Sequence, residues 1–452
     1  MKVSVIGLGY VGSVAAAGLA SAGHDVLGID INADRIREYR ELRLPIFEPG
    51  LRELLKAGVD GGKLSFAANQ DVNEPLGEVV VIATGTPPTE TGSADLSQVK
   101  ESLKWVRDRC GGEHTVLVKS TVPPGTGERL KKTILHNSGL SYVSNPEFLR
   151  EGHAIHDWFH PDRIVVGGDK GALATLQALY TGIEAPYVLT NITSAEMIKY
   201  TANAFLATKI SFINEIAALC DRLGATIDDV SEGISLDPRI GPSFLKAGVG
   251  YGGSCFPKDV RALDQVALTN DHNFELLRAV ITVNNRQRHL PLYALRQRFG
   301  RLSGLTVGIL GVAFKPDTDD IREAPSLDLV RLLVEDGADV RIYDPKANSA
   351  ARRVLPQSVV FLETFEECVD RTDAVVLMTE WDQIVGADWS TAARTMKPSR
   401  FIFDGRNALD PRSMRRLGFD YRGIGRPCRS LPSEDVDTLK LTAESQPDRS
   451  SA

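Results

Sequence analysis

The run Gly252-Gly253-Ser254-Cys255-Phe256-Pro257-Lys258-Asp259 has a composition suited to covalent catalysis. Two glycines let backbone approach a ligand closely. Pro257 is preset for the first turn of a helix, which residues 260–267 continue. Cys255 is therefore expected at a helix N-terminus beside Lys258, and both features favour the nucleophilic thiolate over the thiol. A thiolate adds to an electrophilic carbon such as that of an aldehyde. The other cysteines read differently. Cys220 falls in an apolar helical stretch, and Cys110 and Cys368 also read as structural. Five cysteines with no CxxC form neither a disulfide framework nor a metal site. No metal is expected, and a reducing compartment, the cytoplasm, is.

A second group could bind a dinucleotide. Gly7-x-Gly9-x-x-Gly12 follows a β-branched run at 2–6 and opens an Ala-rich stretch at 13–21; Asp30 closes the next strand, 18 positions after Gly12. Gly7 permits the tight turn, Gly9 admits a pyrophosphate, and Gly12 lets helix pack on strand. Asp30 would accept hydrogen bonds from ribose hydroxyls and repel a 2′-phosphate, which selects NAD over NADP. The apolar run at 3–6 breaks into this turn after a few residues and reads as a buried strand, not as a signal segment.

These groups need elements to position them. Strand-like runs at 79–83, 115–119 and 164–166 alternate with helical stretches, which predicts a doubly wound parallel sheet. Residues 193–223 differ: Thr193-Ser194-Ala195-Glu196 resembles a capping box, and no Pro or Gly interrupts the run before Gly224. A helix of about 30 residues spans about 45 Å and would join two domains. Its apolar surface suits a dimer interface or burial within one subunit. Lys199 and Asn203, four apart, share one of its faces. Strands at 306–310, 339–343, 374–378 and 401–403, with a helix at 325–336, repeat the α/β plan. The expected fold is α/β, two Rossmann-like doubly wound domains joined by a long central helix. Its parts are residues 1–190, a central helical segment 191–295, a second α/β domain 296–430, and a polar tail 431–452 read as disordered.

The chain is also similar to the UDP-glucose/GDP-mannose dehydrogenase family over residues 1–425. The matching stretches are GLGYVG (7–12), EPGL (48–51), GTP (85–87), STVPPGT (120–126), NPEFLREG (145–152), AEMIKYTANAF (195–205), FLKAGVGYGGSCFPKD (244–259), AFKPDTDDIREAPS (313–326) and FDGRN (403–407). The resemblance implies an NAD-binding N-terminal domain, a dimer formed on the central helix, and a C-terminal domain for the sugar nucleotide. It also implies oxidation of a 6-hydroxyl to a carboxylate by two hydride transfers, through a thiohemiacetal and a thioester on Cys255. Lys199 and Asn203 would face the reacting carbon, Lys199 stabilising developing oxyanion charge. Glu147 would work in proton transfer, Asp259 would assist water, and Thr121 would orient it. On the cofactor side the resemblance adds Tyr10, Val11, Arg35, Thr86, Thr121, Glu151, Lys258 and Arg322 to the three glycines and Asp30. Arg35 stands where many relatives have Lys. On the substrate side it implies Glu147, Phe148, Leu149, Arg150 and Glu151, then Phe244, Leu245, Lys246, Ala247, Gly248, Tyr251 and Gly252, with Lys315 and Arg406. Arg239 would reach a partner's site. Ser254 before the cysteine disfavours N-acetyl-hexosamine substrates. Arg239-Ile240-Gly241 and Asp404–Asn407 resemble UDP-glucose enzymes more than GDP-mannose enzymes, which stay the alternative.

Other classes fit less well. A net charge of −7 argues against general nucleic-acid binding. No apolar segment reaches the roughly 18 residues of a membrane helix. A nucleotide-sugar epimerase or lyase would commonly carry a Tyr-x-x-x-Lys pair near a suitable strand end, and none stands there.

Overall fold

The computed structural model describes residues 1–427 apart from Glu113, so the expected tail at 431–452 lies outside the described residues. Eight strands build the first sheet: β1 (Lys2–Ile6), β2 (Asp25–Asp30), β3 (Leu64–Ala68), β4 (Val79–Ile82), β5 (Thr115–Val118), β6 (Ser141–Ser144), β7 (Ile164–Gly167) and β8 (Tyr187–Thr190). Their order is β3-β2-β1-β4-β5-β6-β7-β8. All neighbours run parallel except β6 and β7. β4 reads Val-Val-Val-Ile and is buried throughout, as a strand covered on both faces must be. The order reverses between β1 and β4, and such a switch point leaves a crevice at the strands' carboxyl ends.

Six parallel strands form the second sheet: β9 (Thr306–Leu310), β10 (Asp339–Tyr343), β11 (Val360–Phe361), β12 (Ala374–Leu377), β13 (Phe401–Asp404) and β14 (Asp420–Gly423). Their order, β11-β10-β9-β12-β13-β14, also reverses, at β9 and β12. The strands that the sequence did not announce are β3, β6, β8, β11 and β14. They are short or partly exposed, and a long apolar run is what announces a buried strand.

α1 (Tyr10–Ser21) starts earlier than the alanine-rich stretch because Gly9 already serves as its N-cap. α2 (Ile192–Leu223) is the long central helix, 32 residues ending at left-handed Gly224. The expected capping box is not what opens it. Asn191 caps the helix, its side chain accepting from the Ser194 N–H at 2.8 Å. Glu196 instead turns away and accepts the backbone N–H groups of Gly125 and Gly127, each at 2.7 Å. The orphan donors it satisfies belong to another segment. α3 (Phe256–Thr269) and α4 (Glu275–Gln287) pack on α2 through Tyr200, Ala204, Ala207, Val260, Leu263, Leu277 and Val280.

Candidate active site

The glycine turn is built as its spacing requires. Gly7 has φ +92°, and a Cβ on Gly12 would stand 1.8 Å from the Gly7 carbonyl oxygen, so only glycine lets α1 sit this close. A Cβ on Gly9 would meet no protein atom within 4 Å. The space beside it is open to a ligand, next to the N–H groups and positive end of α1. Asp30 lies behind the turn, nearly buried. One carboxylate oxygen accepts the Leu8 N–H at 2.9 Å and Arg35 at 3.2 Å; the other accepts the Asn32 N–H at 2.9 Å.

From this turn a cleft of about 630 Å³ runs to the cysteine. Gly9, Tyr10, Val11, Thr86, Thr121, Glu147, Leu149, Glu151, Cys255, Lys258 and Arg322 line it, and so does Thr84. The Thr84 hydroxyl is buried with no partner among the described residues. An orphaned donor, an unobstructed Gly9 and a helix N-terminus together fit a dinucleotide's polar groups. Glu151 accepts the Ser254 hydroxyl at 2.9 Å. Burial, reinforced by Asp320 and opposed by Arg322, pushes its carboxyl up to about 7.

A second cleft, of about 580 Å³, approaches from the other side of the cysteine. Glu147, Phe148, Leu149, Arg150, Lys199, Asn203, Phe244 and Cys255 line it. The two clefts share four residues: Lys119, Glu147, Leu149 and Cys255. Cys255 is the N-cap of α3, where the sequence placed it.

The charges around the sulfur differ from the expectation. Lys258 does not serve the thiol. It is drawn to Asp259, Nζ to Oδ1 2.5 Å, and stands 3.5 Å from the Thr86 hydroxyl. The cation that acts on the thiol is Lys199, and burial outweighs it, so the Cys255 thiol is pushed up to about 11, with Glu147 and Asp259 adding to the rise. Burial thus favours the thiol over the expected thiolate, because desolvation costs a charge more than one lysine returns.

Lys199 and Asn203 do share a face of α2, and they reach different acids. Lys199 Nζ lies 3.2 Å from Glu147 Oε1, and Asn203 Nδ2 donates to Asp259 Oδ2 at 2.6 Å. Burial opposes the charge on Lys199, but Glu147, Cys255 and Asp259 hold its pKa above the ordinary lysine value. Asp259 is buried beneath the clefts and lines neither, so its water-assisting role would act through a neighbour or a rearrangement.

The remaining sequence-predicted groups gather at the seam between α2–α4 and the second sheet. Leu245, Ala247 and Tyr251 are buried there, and Lys246 is exposed. Gly248 and Gly252 face backbone so closely that a Cβ would stand 3.1 Å from the Gly405 oxygen and 2.4 Å from the Glu323 oxygen. Arg406 donates to the carbonyls of Met378 and Phe314 at 2.7 and 2.8 Å. Burial lowers the Lys315 ammonium, which lies 5.6 Å over the Phe314 ring. Arg239 lies apart, exposed and paired with Asp237.

Three site residues escaped the sequence reading of roles. Ser254 sits 3.5 Å from the thiol and holds Glu151. Lys119, next to STVPPGT, is buried against Asn145 and Tyr180 at 3.0 and 2.9 Å. Glu48, in EPGL, accepts the Gly152 and Ala154 N–H groups at 2.6 and 2.7 Å and the Tyr10 hydroxyl, so it ties the 147–154 loop to the glycine turn.

Comparison with known proteins agrees with this division of labour. Residues 1–184 match the NAD binding domain of the UDP-glucose/GDP-mannose dehydrogenase family, residues 193–286 its central domain, and residues 308–411 its UDP binding domain. A UDP-glucose 6-dehydrogenase of Bacillus subtilis is 44% identical over 431 residues, covering 94% of this chain and 98% of that protein. One of Pseudomonas aeruginosa is 42% identical over 448 residues, at the same coverages. The solved structure of a UDP-glucose dehydrogenase from Pyrobaculum islandicum superposes with a TM-score of 0.86 at 40% identity, over 94% of this chain and 98% of that one. A dinucleotide crevice and a second cleft meeting at one cysteine, on two Rossmann-like sheets joined by a long helix, place this chain in the UDP-glucose/GDP-mannose dehydrogenase family.

Proposed function

We propose that this protein oxidises the 6-hydroxyl of UDP-glucose to the carboxylate, giving UDP-glucuronate, with Cys255 as the covalent nucleophile. The observation that carries the reading is the meeting of the two clefts at Cys255 and Glu147. Gly7–Gly12, Asp30, Arg35, Thr86 and Glu151 would hold NAD, which would supply a hydride acceptor for each oxidation. The chain supplies the rest. Glu147 takes the proton of the 6-hydroxyl, and Lys199 stabilises the oxygen as its charge grows. The aldehyde carbon can lose hydride only after a nucleophile adds. Once Glu147 has passed that proton to solvent, Cys255 adds to the aldehyde carbon, the thiol proton moves to the aldehyde oxygen, and the thiohemiacetal stays bound. Loss of the second hydride, as Glu147 takes the hydroxyl proton, gives a thioester. Water oriented by Thr121 then cleaves the carbon–sulfur bond, releasing the acid and returning the thiol.

Phe244–Gly248, Tyr251, Gly252, Lys315 and Arg406 serve the sugar nucleotide at the seam. A homodimer belongs to the same reading. Met197, Phe205, Phe212 and Leu219 leave apolar surface exposed along α2, and a second copy that covered it would bring its Arg239 toward this site. Among the described residues four cysteines are free and no helix is long and apolar enough to cross a membrane, which accords with a cytoplasmic enzyme.

The test is stoichiometry. Purified protein with NAD and UDP-glucose should form two NADH per sugar consumed, and GDP-mannose should not replace UDP-glucose. One NADH per sugar, or none, overturns the reading.

A further inference from the structure

Four arginines line the two clefts: Arg150, Arg163, Arg261 and Arg322. Three are committed. Arg150 forks onto Asp157, Arg261 bonds Glu323 and the Pro257 carbonyl, and Arg322 forks onto Asp320. Arg163, just before β7, is not. Its guanidinium donates no hydrogen bond within the described residues. Its one ionic neighbour is Asp162 at 3.6 Å, whose own carboxylate is turned out to solvent. The Arg163 side chain is nonetheless only 30% exposed. Its Cζ lies over the Phe148 ring, 3.6 Å from the centroid, and Lys199 Nζ stands 5.2 Å from the same ring. Phe148 thus joins Arg163 to the group that serves the reacting centre.

A guanidinium stacked on an aromatic ring loses little by lying there, and its donors, unpaired within the described residues and still reached by water, stay free for a ligand's acceptors. The charge balance of the second cleft points the same way. Glu147 is matched by Lys199 and Asp157 by Arg150, Arg163 has only the solvent-exposed Asp162 at 3.6 Å, and Lys119 is held by neutral acceptors, which leaves the cleft with an excess of positive charge. Burial accordingly lowers the Arg163 pKa.

We propose that Arg163 is a substrate-binding residue, its planar fork donating to two adjacent oxygens of the sugar nucleotide. This rests on the reading above for the identity of the ligand. Two groups of that ligand offer paired oxygens at guanidinium spacing, the diphosphate and a vicinal diol of the sugar. Phe148 fixes the plane of the fork, so Arg163 selects by geometry as well as by charge.

The test is calorimetric titration of the full chain with UDP-glucose, UDP and NAD, for wild type, Arg163→Gln and Arg163→Lys, beside their thermal unfolding. Arg163→Gln should bind UDP-glucose about tenfold or more weaker, since a charge-assisted bidentate contact is lost. NAD affinity and Tm should hold. Arg163→Lys should fall between, because an ammonium keeps the charge and loses the fork. Equal weakening of UDP assigns the fork to the diphosphate; unchanged UDP binding assigns it to the sugar. UDP-glucose affinity unchanged in Arg163→Gln overturns the proposal, as does equal weakening of NAD. A wild type that binds NAD but not UDP-glucose overturns the functional reading instead.

Discussion

Lys199 and Glu147, 52 residues apart in the chain, form a buried ion pair at 3.2 Å, their side chains 4% and 7% exposed. One member comes from the central helix and the other from the loop after β6, so the pair ties α2 to the first sheet beside the two clefts. Removing one partner of such a pair strands the other charge, at a cost of about 3–5 kcal/mol. Lys199→Met should therefore lose both activity and stability. Glu147→Gln added to it should restore most of the stability and none of the activity. Denaturant unfolding beside NADH formation checks this. A double variant no more stable than Lys199→Met would show that the pair carries no such penalty.

The Cys255 thiol, pushed up to about 11 by burial, should be sluggish without ligands. Iodoacetamide alkylation at Cys255, followed by peptide mass spectrometry, should climb with pH past 9 without levelling. Levelling below pH 8 would mean that the thiolate is preformed. Cys255→Ser should cut NADH formation on the order of 10³-fold or more, as loss of a catalytic nucleophile does.

Glu151, pushed up to about 7, gives a pH signature. A carboxyl whose folded pKa exceeds its unfolded one contributes stability that is fully present below the unfolded value, here 4.5, and lost as pH rises through about 7. Relative to Glu151→Gln, the wild type should be progressively less stable from pH 5 to pH 8. Parallel Tm curves for the two proteins over that window would refute the shift.

Asp30 makes the NAD preference testable. Asp30→Asn keeps an acceptor for the Leu8 N–H and removes the charge that repels a 2′-phosphate. KM for NAD should rise about tenfold, the worth of a lost charge-assisted hydrogen bond, and the NAD to NADP ratio of kcat/KM should fall. An unchanged ratio would move the discrimination elsewhere.

The face of α2 can be charged directly. Phe212 is 54% exposed, and Phe212→Glu would place a carboxylate in any apolar interface there. Sedimentation should show a dimer for wild type and a monomer for the variant. A wild type that is monomeric at micromolar concentration would remove the dimer from the proposal.

Local physics made much of this molecule legible in its sequence. The strand–glycine–helix unit at 2–21 depends on a positive φ at Gly7 and the missing Cβ of Gly12, both written in residue type. α2 ends where Gly224 allows a left-handed turn, and Cys255 stands at the N-cap that Pro257 announces. Tertiary structure decided what those groups feel. Thr193 and Glu196 have the spacing of a capping box, but the 125–127 backbone needed the carboxylate more. Lys258 is three residues from Cys255, but Asp259 claims it, and the cation that faces the sulfur arrives from α2. Spacing along a chain fixes backbone conformation and shared faces, because those interactions span a few residues. Desolvation and charge pairing depend on which distant segments close over a site, and that is why the state of the cysteine, the partner of Lys199 and the uncommitted fork of Arg163 became visible only in the folded chain.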